Sequence, residues 1–174
     1  AFDRSSVNFA GDPTGSKAVF YDTQSGGQYI YTNSGLKASD ALITSAGTVD
    51  LWGGVTLQNN VKTGNYGSAI YSISNSAVNL YGGTVTRCAA AGTADAGQGA
   101  IFIGYEEPGT KPANYWTTKP TTQVGVLTMY GGSVTGNAVS GSQSADGGGV
   151  AANQAQMTMY GGEVSYNTAG VSNS

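Results

Sequence analysis

The stretch Val78-Asn79-Leu80-Tyr81-Gly82-Gly83 decides the fold, because its pattern of two alternating apolar residues, an aromatic residue and two glycines occurs four times. The other copies are Val49-Asp50-Leu51-Trp52-Gly53-Gly54, Leu127-Thr128-Met129-Tyr130-Gly131-Gly132 and Met157-Thr158-Met159-Tyr160-Gly161-Gly162. Successive aromatic residues lie 29, 49 and 30 positions apart. Recurrence at such a spacing indicates a stacked repeat architecture. The short spacings set a period of about 30 residues, and the long one contains an insertion of about 19.

The alternation predicts which side chains are buried. Successive residues of a strand face opposite sides of a sheet, so the two apolar residues of each copy share one face. We expect that face in the core and the aromatic residue on the other face. A valine follows each of the last three aromatic residues by four positions, whereas the first copy has Thr56 there, between Val55 and Leu57. We expect a one-residue slip or bulge at this point.

Two further features recur in each repeat. The residue seven positions after the aromatic is Asn59, Cys88, Asn137 or Asn167. These residues predict a ladder at one corner, with Cys88 as a buried small residue in it. Small-residue runs that end in a β-branched residue follow the first three copies: Gly67-Ser68-Ala69-Ile70, Gln98-Gly99-Ala100-Ile101 and Gly147-Gly148-Gly149-Val150. Each repeat therefore reads as three short strands, with a tight corner at the two glycines.

These features predict an all-β fold, a right-handed parallel β-helix in which like residues stack on like. We expect one domain over residues 1–174, with irregular N-terminal coils or a cap at 1–48 and regular coils at 49–103 and 124–170. Residues 104–123 hold three of the four prolines. Because proline cannot donate to a strand ladder, this segment is predicted to be an inserted loop.

Composition excludes several function classes. Only 10% of the residues are charged and the net charge is −3, so no basic surface is expected to attract nucleic acid. There is no long apolar run, and membrane insertion is not predicted. The chain has no histidine, which excludes histidine-dependent nucleophiles, acid–base groups and metal sites. The chain begins at Ala1, which fits a mature product after signal-peptide removal and equally a piece of a longer protein.

The motif Tyr-Gly-Gly-x-Val-x-x-Asn, followed by Gly-Gly-Gly-Val or Gly-x-Gly-Ala-Ile, resembles the repeats of bacterial surface-exposed right-handed parallel β-helix proteins. These include adhesin-like proteins and proteins with polymorphic outer-membrane repeats, and more broadly the pectate-lyase-like superfamily. The likeness covers residues 49–170. It implies an extracellular or cell-surface location and an adhesive or structural role, because the repeat is scaffolding in that family.

No catalytic residues are predicted. β-Helix enzymes that cleave polysaccharides need clustered or facing carboxylates. The positions equivalent to Asp50 hold no second acid: they are Asn79, Thr128 and Thr158. Asp95 and Asp146 precede the glycine-rich runs of successive repeats and are a candidate Ca²⁺ site, with solvated turn aspartates as the alternative. No other cofactor is predicted.

Two groups of aromatic residues are candidate carbohydrate sites. The first is the stripe of Trp52, Tyr81, Tyr130 and Tyr160, whose rings stack either on sugars or on one another. The second is the pair Tyr115 and Trp116 on the inserted loop, which alternatively fixes the loop to the helix. Surface glycans are therefore candidate partners.

The last copy of the motif suggests assembly. It is regular, yet the residues that follow it are too few to cover its exposed strand edge, which is a template for another strand. Another subunit is expected to cover it, giving a homo-oligomer or a filament; the alternative is that the chain was cut from a longer solenoid. The predicted contact residues are Val7, Phe9, Val19 and Tyr21 at one end and Met157, Met159, Val164 and Asn167 at the other.

We therefore expect a non-catalytic extracellular protein, a filament subunit or adhesin segment that stacks end to end. The first alternative is a carbohydrate-binding module, and the second is a degenerate polysaccharide lyase or hydrolase.

Overall fold

The computed structural model describes residues 17–20, 29–32, 37–38, 41–63, 66–73, 75–91, 96–105, 125–141 and 144–171. These residues form an all-β structure in which every strand pairing is parallel, and they contain no helix. No segment of this part of the chain forms an apolar helix long enough to cross a membrane.

The strands are short, with two exceptions. Those of the first half are β1 (Lys17–Phe20), β2 (Tyr29–Thr32), β3 (Lys37–Ala38), β4 (Ile43–Ser45), β5 (Thr48–Leu51), β6 (Val55–Gln58), β7 (Val61–Thr63), β8 (Ile70–Ile73) and β9 (Ser76–Thr86). Those of the second half are β10 (Ala89–Ala91), β11 (Ala96–Gln98), β12 (Ile101–Gly104), β13 (Gly125–Thr135), β14 (Ala138–Gly141), β15 (Ser144–Asp146), β16 (Val150–Asn153), β17 (Gln156–Met159), β18 (Glu163–Ser165) and β19 (Thr168–Val171).

The chain visits three larger sheets in the same order in each repeat. The first has the order β1-β5-β9-β13-β17, with β2 on β6, β6 on β9, and β18 on β13. The second has the order β3-β7-β10-β14-β19, and the third β4-β8-β12-β16. Two strands, β11 and β15, form a separate pair. Every larger sheet therefore ends in a strand from the beginning of the chain at one edge and a strand from its end at the other.

The strand register reproduces the repeat that is visible in the sequence. Val49 pairs with Val78, Val78 with Leu127, and Leu127 with Met157. The column that begins at Leu51 runs through Leu80 and Met129 in the same way. Equivalent residues of successive copies are thus hydrogen-bonded neighbours, and like side chains stack on like.

The residues predicted to form the core are buried. Leu80, Met129 and Val134 are inaccessible to solvent, and all three belong to one apolar cluster. The burial follows from the alternation, because the intervening outward residues are only half-buried. This expectation is confirmed.

The predicted slip in the first copy is also confirmed, and it corrects the corner ladder. Thr56 pairs with Thr84 and Leu57 with Val85, so Leu57 takes the inward place. The extra residue moves everything after it by one position. Asn60, not Asn59, is therefore the equivalent of Cys88.

The expected tight corner between two strands at the glycine pair is wrong for two of the copies. Both β9 and β13 run for 11 residues through their glycines, and the β13–β9 register shifts between Met129 and Gly131 and again between Gly131 and Ser133. Gly132 has a φ of 85°, and a Cβ there would collide with the carbonyl oxygen of Gly83. The bend is thus taken up inside a continuous strand by a bulge.

The core assignment makes a prediction with a control built into the chain. Met129→Ala should lower the free energy of unfolding by about 2–5 kcal/mol, because it leaves a cavity at a fully buried site. Met159 occupies the equivalent place in β17 but is 46% exposed, so Met159→Ala should cost less than about 1 kcal/mol. Urea unfolding of both variants measures the difference. Equal losses would contradict the packing described for Met129.

Candidate functional site

A ladder of stacked aromatic rings lies on the outside of the first sheet. Each aromatic residue directly follows the second apolar residue of its copy. Because strand pairing aligns these apolar residues, it also brings the rings together. The ring centroids are 4.2 Å apart for Trp52 and Tyr81, 5.0 Å for Tyr81 and Tyr130, and 5.4 Å for Tyr130 and Tyr160. The planes deviate from parallel by 17°, 1° and 14°. The rings therefore stack on one another.

This stacking limits what the stripe can bind. A sugar stacks on the face of an aromatic ring, but Tyr81 and Tyr130 each have another ring on both faces. Their edges alone face water. Tyr160 is the last ring of the described ladder, and it is 74% exposed. Of Tyr130 and Tyr160, the two rings in the second half of the ladder, only Tyr160 has a face that no described ring covers. A ligand could stack on that face.

Polar side chains form two columns beyond the glycine bend, on the outside of the same sheet. The first column is Thr56, Thr84, Ser133 and Glu163, and the second is Gln58, Thr86, Thr135 and Ser165. The columns bond within themselves and to each other: the Ser133 hydroxyl donates to Thr84 Oγ1 (3.3 Å), and the Ser165 hydroxyl donates to Glu163. Arg87, which follows β9, also donates to the side-chain oxygen of Gln58 in the second column. Much of the hydrogen-bonding capacity of this face is thus already in use.

The column of Asp50 contains a single carboxylate, as predicted. Asp50 pairs with Asn79, and Thr128 and Thr158 continue the column. The Asn79 amide donates to Asp50 Oδ1 over 2.8 Å. No facing pair of carboxylates arises here.

Asparagine side chains recur in the corner ladder, and Asn137 and Asn167 each bind the repeat before their own. The Asn60 amide instead donates to the carbonyl of Ser68 (2.7 Å) in its own repeat. Asn137 Oδ1 accepts from the backbone N–H of Cys88 (2.9 Å), and Asn137 Nδ2 donates to the carbonyl of Val85 (3.0 Å). Asn167 does the same one repeat later, with the N–H of Asn137 (3.0 Å) and the carbonyl of Val134 (2.8 Å). Each of these two amides therefore bonds both a backbone N–H and a backbone carbonyl of the preceding repeat.

A residue with a left-handed backbone precedes each member of the corner ladder. The φ values are 59° for Asn59, 51° for Arg87, 64° for Gly136 and 52° for Tyr166. This conformation turns the chain and aims the next side chain inward. It also explains why sequence spacing alone misplaced the first member, since either of the two adjacent asparagines fits the motif.

Cys88 is the exception in the ladder. Its side chain lies where an asparagine would meet the N–H of Asn60 and the carbonyl of Leu57, but its Sγ is 4.0 Å from that carbonyl. Burial raises the pKa of the thiol to about 11, against a smaller opposing effect of the hydrogen bond from the Asn60 backbone. The thiol stays protonated at neutral pH, so Cys88 is a packing residue and not a nucleophile.

Of the candidate Ca²⁺ pair Asp95 and Asp146, only Asp146 belongs to the described residues, so the pair stays a prediction. Asp146 is exposed and pairs with Gln98 at the end of β15. Asp95 lies outside the described residues. Within residues 41–63, 66–73, 75–91, 96–105, 125–141 and 144–171, no group of three or more acidic or cysteine side chains converges. The loop residues Tyr115 and Trp116 also lie outside the described part.

The C-terminal edge of the sheets, formed by β16, β17, β18 and β19, exposes core positions. Met157, Met159 and Val164 are 38%, 46% and 38% exposed, whereas the residues that they pair with in β13 are fully buried. An open cavity of about 370 Å³ lies here, between Gly147–Val150 and Asn167. Large apolar side chains seldom occur together on a surface without a partner.

The predicted contact residues at the other edge are only partly visible. Val19 lies in β1, where it pairs with Asp50. Val7, Phe9 and Tyr21 lie outside the described residues. The predicted contact between the two edges stays a prediction.

The corner ladder predicts a loss of stability on truncation. Asn137→Ala removes the partners of two backbone groups, the N–H of Cys88 and the carbonyl of Val85. Each buried group left unsatisfied costs about 1–3 kcal/mol. Thr135→Ala, in the outward column nearby, should change stability by about 0.5 kcal/mol or less. Thermal unfolding compares the two, and an equal effect would show that the ladder contributes no more than the surface does.

Replacing the exception should have the opposite effect. Cys88→Asn supplies an amide to the N–H of Asn60 and the carbonyl of Leu57, so its unfolding midpoint should exceed that of Cys88→Ala and equal or exceed that of the unaltered chain. A midpoint no higher than that of Cys88→Ala would contradict the ladder mechanism.

Comparison with known proteins identifies no relative of this chain. No family model, curated protein or solved structure matches the chain. The proposed function therefore rests on the chain's own residues and geometry.

Proposed function

We propose that the chain winds as a right-handed parallel β-helix of about 30 residues per coil, with residues 104–123 as a loop that leaves the helix and rejoins it. The cyclic order in which the chain meets the three larger sheets supports this winding. Leu80 of the first sheet and Ile101 of the third belong to one buried apolar cluster, which supports a core enclosed between the sheets. Parallel crossovers are right-handed in nearly all proteins.

The function that this geometry supports best is structural. We infer a non-catalytic extracellular or cell-surface element, either a filament subunit or an adhesin segment, that stacks end to end. The observation that carries the proposal is the exposure of Met157, Met159 and Val164 at the C-terminal edge. Core residues in that position gain burial only when another set of strands covers them.

Other features favour a scaffold over a catalyst. The chain has no histidine, and the Asp50 column has one carboxylate. The outer hydroxyl groups bond to one another, and the central aromatic rings stack face to face. Both arrangements stabilise the surface of the helix without presenting groups that could act on a substrate. The resemblance to bacterial surface proteins supports the extracellular location.

Carbohydrate binding is the second candidate, and one observation favours it. The Tyr160 ring is 74% exposed and is stacked by a described ring, Tyr130, on one side. Glu163 and Ser165 follow it in β18, and their oxygen atoms can bond to sugar hydroxyls. A glycan would then bind at the end of the aromatic stripe and not along it.

Sedimentation and electron microscopy test the structural proposal. The chain should form larger species as its concentration rises, elongated along one axis because the contact is heterologous. Incubation with pectin, alginate and mucin glycans should release no reducing ends or unsaturated products. A chain that remains monomeric at every concentration, or that cleaves any of these polymers, would contradict the proposal.

The carbohydrate alternative has its own matched test. Saturable binding on a glycan array should be lost in Tyr160→Ala and retained in Tyr81→Ala, because Tyr81 has rings on both faces. Equal loss in both variants would place the ligand elsewhere or reflect a disturbed stack. Absence of binding in the unaltered chain would remove this candidate.

A further inference from the structure

We propose that the C-terminal edge of one chain binds the N-terminal edge of a second copy, with β1 of the second copy pairing in parallel with β17 of the first. This inference rests on the proposed end-to-end assembly and deepens it, since it names the strands, their register and the side chains that select the partner. The partner is another copy of this chain.

The two edges match in strand type and direction. In the first sheet β1 and β17 are the two ends of the strand order, and in the second sheet β3 and β19 are. All pairings between them are parallel, so both edge strands of a sheet run in the same direction. If a second copy is translated along the stacking direction, its β1 lies beside β17 of the first copy. This places the two strands as β17 and β13 are placed within one chain. The contact then repeats at every junction.

The apolar surface at the C-terminal edge fits this partner. Met157 and Met159 continue the columns of Val49 and Leu51, and Val164 continues that of Leu57. At the other edge the same columns begin with Ala18 and Phe20 in β1 and Tyr31 in β2. Apolar residue types thus occupy both sides of the junction at the same register positions.

The corner ladder leaves a specific pair of groups to be recognised. The N–H of Asn137 and the carbonyl of Val134 bind the Asn167 side chain. The equivalent groups one repeat later are the N–H of Asn167 and the carbonyl of Val164. No described side-chain amide reaches them.

Charge also favours contact between unlike edges over contact between like ones. The strands β1, β2 and β3 contain Lys17 and Lys37 and no acidic residue. The strands β17, β18 and β19 contain Glu163 and no basic residue. Two N-terminal edges would bring lysines together. In the proposed register Lys17 lies beside Gln156, Lys37 beside Thr168 and Glu163 beside Ile30, so the junction joins no like charges.

The register can be tested by cross-linking, because it places Val19 of one copy beside Thr158 of the next. Val19, Asp50, Asn79, Thr128 and Thr158 occupy one register column. Adjacent parallel strands are about 4.8 Å apart, within the range that a disulfide bridges. In a Cys88→Ser background, the double variant Val19→Cys with Thr158→Cys should form a ladder of disulfide-linked multimers under mild oxidation. An equal mixture of the two single variants should give dimers only.

The matched control moves one cysteine to a site that is already enclosed. Thr128 lies in the same column, but it has Asn79 and Thr158 as neighbours within its own chain. The double variant Val19→Cys with Thr128→Cys should therefore give no ladder. If it cross-links as well as the first pair does, the contact is unspecific and the inference is overturned.

A charge at the junction supplies an independent measurement. Met159→Lys alters a half-exposed residue, so the fold of the single chain should persist, whereas assembly should fall by at least about tenfold because the ammonium would be buried without a partner. Ser133→Lys, in the outward column of β13, should leave assembly unchanged. Sedimentation reads both, and circular dichroism verifies the fold.

The outcomes separate this inference from the proposed function. Assembly that sediments normally but gives no Val19–Thr158 cross-link, or that Met159→Lys leaves intact, overturns the register proposed here and leaves end-to-end assembly standing. A strictly monomeric unaltered chain overturns both.

Discussion

The structure depends on one constraint, the parallel pairing of each strand with the strand that lies one repeat away. This pairing places Leu51, Leu80 and Met129 in a single buried column, and equivalent columns follow on the other sheets. No repeat can bury its apolar face alone, so stability comes from contact with neighbouring repeats. Strands at the edges of the sheets therefore expose apolar positions that interior strands bury.

Two side-chain ladders reinforce the pairing at the places where the backbone turns. At the corner, the side chains of Asn137 and Asn167 bond a backbone N–H and a backbone carbonyl of the repeat before. The aromatic ladder covers the outside of the glycine bend, where a missing Cβ allows the strand to fold sharply. Each ladder works only in register, and a slip by one residue would break both. Register is thus specified by polar and aromatic groups as well as by the core.

The same principle connects the fold with the proposed function. In a column of stacked side chains, the last member exposes the apolar surface that earlier members bury. Met159 shows this most directly, since it has the same residue type as Met129 at the equivalent position and yet is half-exposed. The proposed assembly of like units would extend the interaction that already holds the chain together. A scaffold that grew in this way would require no catalytic group.

By itself the sequence determined the repeat period, the inward and outward faces, the aromatic residues equivalent to Tyr81 in the other repeats and the slip beside Thr56, because these follow from spacing and from the two-residue alternation of strands. Only the tertiary structure decided which of two adjacent asparagines enters the corner ladder, since both fit the motif and the left-handed φ of Asn59 selects Asn60. It also decided that β9 and β13 continue through their glycines, because a bulge keeps the backbone paired where a turn would release it. The covered faces of the rings and the exposed methionines likewise needed the structure. Both depend on what lies one repeat away, and residue types in a single strand do not contain that information.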